Sequence, residues 1–365
     1  MDMRSAAGGA IVLAAATLAP PLALAQTAPA VAEEAAAEAS SDVWFPQSIE
    51  RREPPFFDGG AFTRLDYVPL ERAAEPWDLC AVLPPQDFEY FRALAGGLQA
   101  EAARQGVTLT LDAVDSFDAQ AQATMLEACL ENDGDALLVA AAVAGDGLGA
   151  VFSRARARGL PVIDLVTGSG SDNVTARIAT DRVAVGRAAG RFLAERHPLG
   201  GDIARVVWLY GPPGSMVAEA VDQGFREGIA GGAIELVHAE AVRLEDGAIR
   251  RAIRAVLAEV ERIDALVGGS KTIQIAVEEL AGADAGHPVE LVALTLSSST
   301  LAGIEAERVF AAVNDKVVVQ GRIAVDLAIR AIEERPHMVD LRPQLEIVDR
   351  SNVETFDRNT VLPPD

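Results

Sequence analysis

From residue 77 onward, short apolar runs alternate with longer stretches in which apolar residues return every third or fourth position. The runs Leu79–Leu83, Val107–Asp112, Ala136–Ala141 and Pro161–Val166 predict strands, and the stretches near 87–105, 118–131 and 146–159 predict helices between them. In the first helix Phe91, Leu94, Leu98 and Ala102 share one face, the spacing an amphipathic helix requires. A helix at about 182–197 and the Gly200-Gly201 break introduce a second series. Its strands are Ala204–Leu209, Ile234–His238, Ala265–Gly268, Val289–Leu296 and Val309–Val313, and its helix 247–261 gathers Ile249, Ile253, Val256, Leu257 and Val260 on one side. Strands that are apolar along their whole length must be covered on both faces, which predicts parallel sheets layered between helices. A last helix, about 316–334, and a strand near Leu345–Val348 imply a further crossing between the two halves. The expected fold is α/β: two doubly wound parallel-sheet lobes joined by a hinge, with a cleft between them.

Ahead of this pattern the chain reads as an export signal. Arg4 precedes the apolar stretch Ala10 to Leu18, and Ala23-Leu24-Ala25 before Gln26 has the small-x-small form of a signal-peptidase site. The apolar run is short and proline-interrupted for a membrane span, an uncleaved anchor being the alternative. Residues 1–25 are therefore expected to be a signal peptide and 26–75 a leader, partly disordered, since Gln26 to Ser41 is rich in Ala, Glu, Pro and Ser. The N-terminal lobe is expected to comprise 76–198 plus 316–341, and the C-terminal lobe 199–315 plus 342–365. The mature protein should reside in the periplasm.

Charge and cysteines narrow the partners. A net charge of −23, from 54 acids against 31 bases, disfavours nucleic acid and anionic lipid. The two cysteines, Cys80 and Cys129, would be thiols in a reducing compartment; after export a disulfide is expected. Cys80 lies early in the first strand and Cys129 at the end of a helix that should pack beside it. They supply too few ligands for a metal, and no cofactor is expected.

Catalytic signatures are sparse. The four histidines show no metal-ligand spacing, and no G-x-S-x-G elbow occurs. Gly168-Ser169-Gly170-Ser171-Asp172 leads into an extended rather than a helical segment, and Gly268-Gly269-Ser270-Lys271-Thr272 lacks the order of a phosphate loop. Gly211-Pro212-Pro213-Gly214-Ser215 follows a strand and opens a helix capped by Ser215, so it is either an ordinary turn or a ligand-facing helix start. Asp181 stands where an extended run meets a small-residue helix (Ala184, Gly186, Ala188, Ala189, Gly190), with Arg182 beside it at the cleft mouth. Both are candidates for ligand contact, against the plainer role of a helix cap. Phe88, Tyr90 and Phe91 crowd the start of the first helix, either as a cleft wall or as a hydrophobic staple.

The segments "VIDLVTG…IATDRVAVGRAAGRFLAE", "GPPGSMVAEAVDQGFREGI", "YVPLERAAEPWDLCAVLPPQDFEYF", "LEACLENDGDALLV", "LVALTLSSSTLAGI" and "AAVNDKVVVQGRIAVDLAI" together resemble the type I periplasmic binding proteins of the ribose-binding class. Within that class the likeness is to the TorT-like family, which senses trimethylamine N-oxide as partner of a hybrid sensor histidine kinase. The resemblance runs from about residue 64 to 350. It implies a cleft drawing on Tyr90 and Phe91 from the first helix start and Thr167 and Asp181 from N-lobe strand ends. Glu219, Ser270 and Thr295 would come from the C-lobe, and Asp315 from a hinge crossing. TorT-like proteins place aromatics where this chain has Arg182 and Thr295. Tyr90 and Phe91 keep that character, with Trp44 and Phe45 of the leader as further candidates. Because a quaternary nitrogen is held by ring faces and a polar site rejects ligands that cannot pair with it, a sugar, a polyol or a small zwitterion fits this cleft as well as trimethylamine N-oxide does.

The expected function is a periplasmic binding protein that takes a small polar solute between its lobes and signals to the periplasmic domain of a membrane sensor histidine kinase. It is not expected to be an enzyme. The receptor of an ABC importer for sugars is the alternative. An exported hydrolase would need a histidine beside Ser270 or Ser297, and none is evident.

Overall fold

The computed structural model describes residues 43–52, 61–281 and 288–362, so the expected signal peptide and most of the leader lie outside the described residues. Every element below belongs to the unit that begins at Trp44. In chain order these are β1 (Gln47–Arg52), β2 (Thr63–Tyr67), β3 (Asp78–Leu83), α1 (Glu89–Gln105), β4 (Thr108–Ala113), α2 (Ala119–Glu131) and β5 (Ala136–Val139). Then come α3 (Gly149–Ala157), β6 (Val162–Val166), β7 (Ala176–Ala179), α4 (Arg182–Arg196), β8 (Ala204–Tyr210), α5 (Met216–Ile229) and β9 (Ile234–Ala241). The rest are α6 (Asp246–Glu259), β10 (Ala265–Gly268), α7 (Ser270–Ala281), β11 (Glu290–Ala293), α8 (Ser298–Glu305), β12 (Ala311–Asn314), α9 (Val317–Ile332), β13 (Asp340–Pro343) and β14 (Glu346–Asp349).

These strands build an 8-stranded sheet, β2-β1-β13-β7-β6-β5-β3-β4, and a 6-stranded sheet, β14-β12-β11-β10-β8-β9. The parallel parts, β4-β3-β5-β6-β7 and β9-β8-β10-β11-β12, repeat one order in which the first strand lies between the second and third. β5, β6 and β10 are buried along their whole length, as apolar strands covered on both faces must be. At the edges β4 alternates between exposed and half-buried positions. Antiparallel β14 closes one edge of the second sheet, and β1 and β2 extend the first.

That extension departs from the sequence reading, which assigned residues 26–75 to the leader. QSIERR and TRLDY are polar because only one face of the hairpin is covered, by Ile49 and Tyr67, both fully buried. The segment 182–197 was assigned to the N-terminal lobe. The buried side of α4, including Val185, Ala189 and Leu193, instead shares a core with Trp208, Phe225 and Val267 of the second sheet. Its route is set by glycines. A Cβ on Gly186 would stand 2.0 Å from the Val221 carbonyl oxygen, and one on Gly224 would stand 1.9 Å from that of Val183, so α4 and α5 cross backbone to backbone. α9 packs in the core of the first sheet, lying on α1 through Gly97 and Gly321.

The chain therefore passes between the lobes at β7–α4, β12–α9 and β13–β14. Helix starts are marked by side-chain caps: Asp118 for α2, Asp181 for α4, Ser215 for α5, and Ser297 with Thr300 in a capping box for α8. α1 ends at Gly106, whose φ of 78° few other residues adopt readily. Cys80 and Cys129 are joined in a disulfide that ties β3 to the end of α2 across 49 residues of sequence. On the chain-entropy model a loop of that length contributes about 4 kcal/mol.

Candidate functional site

In an open α/β sheet the crevice for a ligand lies beyond the carboxyl ends of the strands, where the strand order reverses. Here that occurs at β3 and β8. The helix starts that follow them, α1 at Glu89 and α5 at Met216, both border one cavity of about 580 Å³. The first lobe contributes Phe88, Tyr90, Phe91, Phe117, Ala141 to Ala144 and Thr167; residues 209–218, Gly269 to Thr272, Leu294 and Thr295 come from the second. Arg182, from the crossing at the start of α4, with Val185, Val221 and Leu244, completes the wall.

Of the residues singled out in the sequence, Tyr90, Phe91, Thr167, Arg182, Ser270 and Thr295 line this cavity. Asp181, Glu219 and Asp315 do not. Asp181 caps α4, accepting from the Ala184 N–H at 3.0 Å, and pairs with Arg342 at 3.2 Å. Glu219 is exposed on α5. Asp315 is buried behind the wall, where its Oδ2 accepts the hydroxyls of Tyr90 at 2.5 Å and Thr180 at 2.9 Å and faces Arg182 at 3.5 Å. Trp44 and Phe45, considered for the cleft, pack with Tyr67 away from it, and the Trp44 indole donates to Glu101.

Asp315 thus clamps three parts of the molecule at the β12–α9 crossing. Gln320 reinforces it, donating to the Thr180 hydroxyl at 3.0 Å and to the Asp315 carbonyl at 2.8 Å. Burial, with the Asp315 charge beside it, pushes the Tyr90 phenol far above its ordinary value, so this group is a neutral donor at any physiological pH. Burial disfavours the charged Arg182 guanidinium, but Tyr90 and Asp315 outweigh it and hold its pKa above the ordinary value. Val166, a β-branched residue at φ 65°, ends β6 beside Thr167, and its carbonyl accepts from Arg182 at 3.2 Å. Strain of this kind persists where surroundings over-determine it, and here it aims the strand end at the cavity.

The lobes also touch directly. Glu89, at the start of α1, accepts from the Ser299 N–H at 3.1 Å and its hydroxyl at 2.7 Å, at the start of α8. Burial works to raise the pKa of this half-buried carboxyl, but the hydrogen bonds from Ser299 and Ser297 prevail and hold it below the ordinary 4.5. A depressed carboxylate pKa gives a contact that is complete above the ordinary value and lost as pH falls through the depressed one. Glu89→Gln should loosen this contact by roughly 1 kcal/mol, because half the group already faces solvent. Small-angle scattering at neutral pH should then show a wider inter-lobe distribution, approached by the parent protein only below pH 4.5. An unchanged scattering profile would show that the contact does not restrain the lobes.

Several lining residues were not recognised in the sequence, Phe117, Val143, Tyr210 and Met216, and Lys271 was weighed only within a motif that lacks the order of a phosphate loop. Phe117 is a lone aromatic in an acidic loop and Lys271 a lone lysine at a helix start, and both were visible as such. Val143 and Met216 stand out only once the loops are placed.

Comparison with known proteins agrees with this architecture. The TorT periplasmic protein of Escherichia coli K12 is 27% identical over 304 residues, covering 81% of this chain and 84% of TorT. A solved ABC transporter solute-binding protein from Bradyrhizobium sp. BTAi1, with bound bis-tris, is 29% identical with a TM-score of 0.81, covering 88% of this chain and 97% of that one. The complex of the TorS sensor domain with TorT in the presence of trimethylamine N-oxide matches at 25% identity and a TM-score of 0.71, covering 79% and 97%. The model for the periplasmic binding protein domain matches residues 80–336. With two parallel sheets of one strand order facing each other across a cavity, this chain belongs to the periplasmic binding protein family.

Proposed function

We propose that this protein is an exported periplasmic receptor that holds a small solute between its lobes and reports occupancy to the periplasmic domain of a membrane sensor histidine kinase. The observation that carries the reading is a cavity walled by both lobes, with the hinge residue Asp315 bonded to wall residue Tyr90. A ligand touching both walls binds the closed arrangement better than an open one, and that difference in affinity is what a partner can read. The kinase partner is supported by the likeness to TorT along most of both chains and by its solved complex with a sensor domain. The likeness to a Bradyrhizobium ABC transporter solute-binding protein favours a second reading, the receptor of an importer.

Titration calorimetry and small-angle scattering against trimethylamine N-oxide, bis-tris, pentoses and small organic acids test the receptor. At least one class should bind and compact the protein. If none binds and no compaction occurs, the receptor reading fails. Capture of the purified periplasmic domain of a sensor histidine kinase from the same organism, changed by ligand, supports the sensor role. Stimulation of an ATPase-coupled permease from the same organism, with no kinase contact, would favour the importer.

A further inference from the structure

The cavity wall is chemically one-sided. Among the described lining residues the ionised side chains are both cations, Arg182 and Lys271, and no Asp, Glu, Asn or Gln side chain contributes. The rest is hydroxyls, aliphatics and rings. Phe88, Phe91 and Phe117 meet mutually at centroid distances of 5.4–6.3 Å, and Tyr90 joins Phe91 at 5.4 Å. This aromatic strip has a cation over each end: the Arg182 guanidinium lies 5.9 Å from the Tyr90 ring and the Lys271 ammonium 4.7 Å from that of Phe88.

Each ligand class meets this wall differently. A sugar carries hydroxyls around its whole ring, and burying them against phenylalanines without carboxylates or carboxamides leaves most of them unpaired. A cation would find the faces of Phe88 and Tyr90 already occupied by protein cations and no carboxylate on the wall. An anion meets complementary charge. Lys271 is already paired with Asp246 at 2.8 Å and lies within 3.9 Å of Asp87. Arg182 is less satisfied. Its side chain is 13% exposed and donates to the Val166 carbonyl at 3.2 Å, but its Nε has no hydrogen-bond partner among the described residues, and Asp315 stands 3.5 Å away with Oδ2 already accepting two hydroxyls. The starts of α5 and α7, at Met216 to Ala218 and Ser270 to Thr272, also open on the cavity and add the positive ends of their backbone dipoles.

Resting on the receptor reading above, we infer that the ligand is a small organic monoanion: a carboxylate head at Arg182 with a compact uncharged apolar body on the strip of Phe88, Phe91 and Phe117. The polarity of the solute is concentrated at one end, and the body is not a quaternary ammonium.

Matched probes test each part. 3,3-Dimethylbutanoate, its amide and glycine betaine share a shape and differ in head or body charge; phenylacetate with its amide repeats the comparison with a flat body, and D-ribose stands for neutral sugars. By calorimetry on the intact protein, at least one carboxylate should bind about 10- to 100-fold tighter than its amide, the range for a hydrogen bond to a charged group. Betaine should bind more weakly than 3,3-dimethylbutanoate. Arg182→Lys, which keeps the positive charge and whose fold is checked by circular dichroism, should weaken the acid while sparing the amide, and Phe117→Ala should weaken both alike. Equal affinity of acid and amide, or tighter binding of betaine, overturns the inference. Ribose binding where no carboxylate binds overturns it too but leaves the receptor reading intact. If no probe of any class binds, the inference falls, while the receptor reading is decided by the wider panel with trimethylamine N-oxide and bis-tris.

Discussion

Gly224→Val should lower the unfolding free energy by about 3 kcal/mol or more, the upper part of the range for overpacking. The reason is geometric. A Cβ at this position would stand 1.9 Å from the Val183 carbonyl oxygen, 2.8 Å from its carbon and 2.9 Å from the Arg187 nitrogen. These are backbone atoms of a helix, so no side chain can turn aside; α4 and α5 must separate as bodies. Separation would open the core formed by Val185, Ala189, Leu193, Val221 and Phe225. It would also displace the start of α5, which lines the cavity through Met216 and Val217. Urea unfolding reads the first effect and ligand titration the second. Gly231→Ala is the control, since a Cβ there meets nothing within 4 Å. It should change stability by less than about 0.5 kcal/mol. A Gly224→Val protein as stable as the parent would show that the helices do not cross this closely.

Asp315→Asn should have two effects of opposite sign. The side chain is 3% exposed and faces the buried Arg182 guanidinium, so losing its charge leaves that cation poorly compensated. Breaking a buried pair in this way costs about 3–5 kcal/mol, and the 3.5 Å separation puts this case at the lower end. The amide oxygen can still accept from Tyr90 and Thr180, so the hinge geometry should survive. With the competing carboxylate gone, an anionic ligand gains the whole field of Arg182, and affinity for 3,3-dimethylbutanoate should rise as stability falls. A purely structural role for Asp315 predicts that both fall together. Unfolding and titration on the same preparation separate the outcomes; lower affinity for the carboxylate would remove Asp315 as the balancing charge of the site.

The central strands of both sheets, β5, β6 and β10 among them, were readable because each is a continuous apolar run, and covering on two faces is what such a run demands. The small residues after Asp181 were visible in the sequence, and among them Gly186 and Gly190 make a close helix crossing. The hairpin of β1 and β2 escaped notice because QSIERR and TRLDY bury one face at a sheet edge and look like solvated chain. The lobe that α4 packs on was hidden for another reason. Its apolar face fits any core, and only the glycines of α5, distant in sequence, select the second.

The same division runs through the site. Tyr90, Phe91 and Arg182 could be found from local pattern, since each lies at the junction of a strand end and a helix start where α/β crevices form. Asp315 and Asp181 were equally visible as acids at such junctions, yet one lies behind the wall and the other caps a helix. Sequence by itself determined the alternation of strands and helices, the pairing of two like lobes and the cysteine bridge, because these depend on periodicity and on short-range packing. Arg182 was placed at the cavity by local pattern, but that Asp181, Glu219 and Asp315 stay off its wall follows from the tertiary contacts. Whether a carboxylate meets a ligand or a guanidinium depends on residues more than a hundred positions away, brought together when the chain crosses between its lobes.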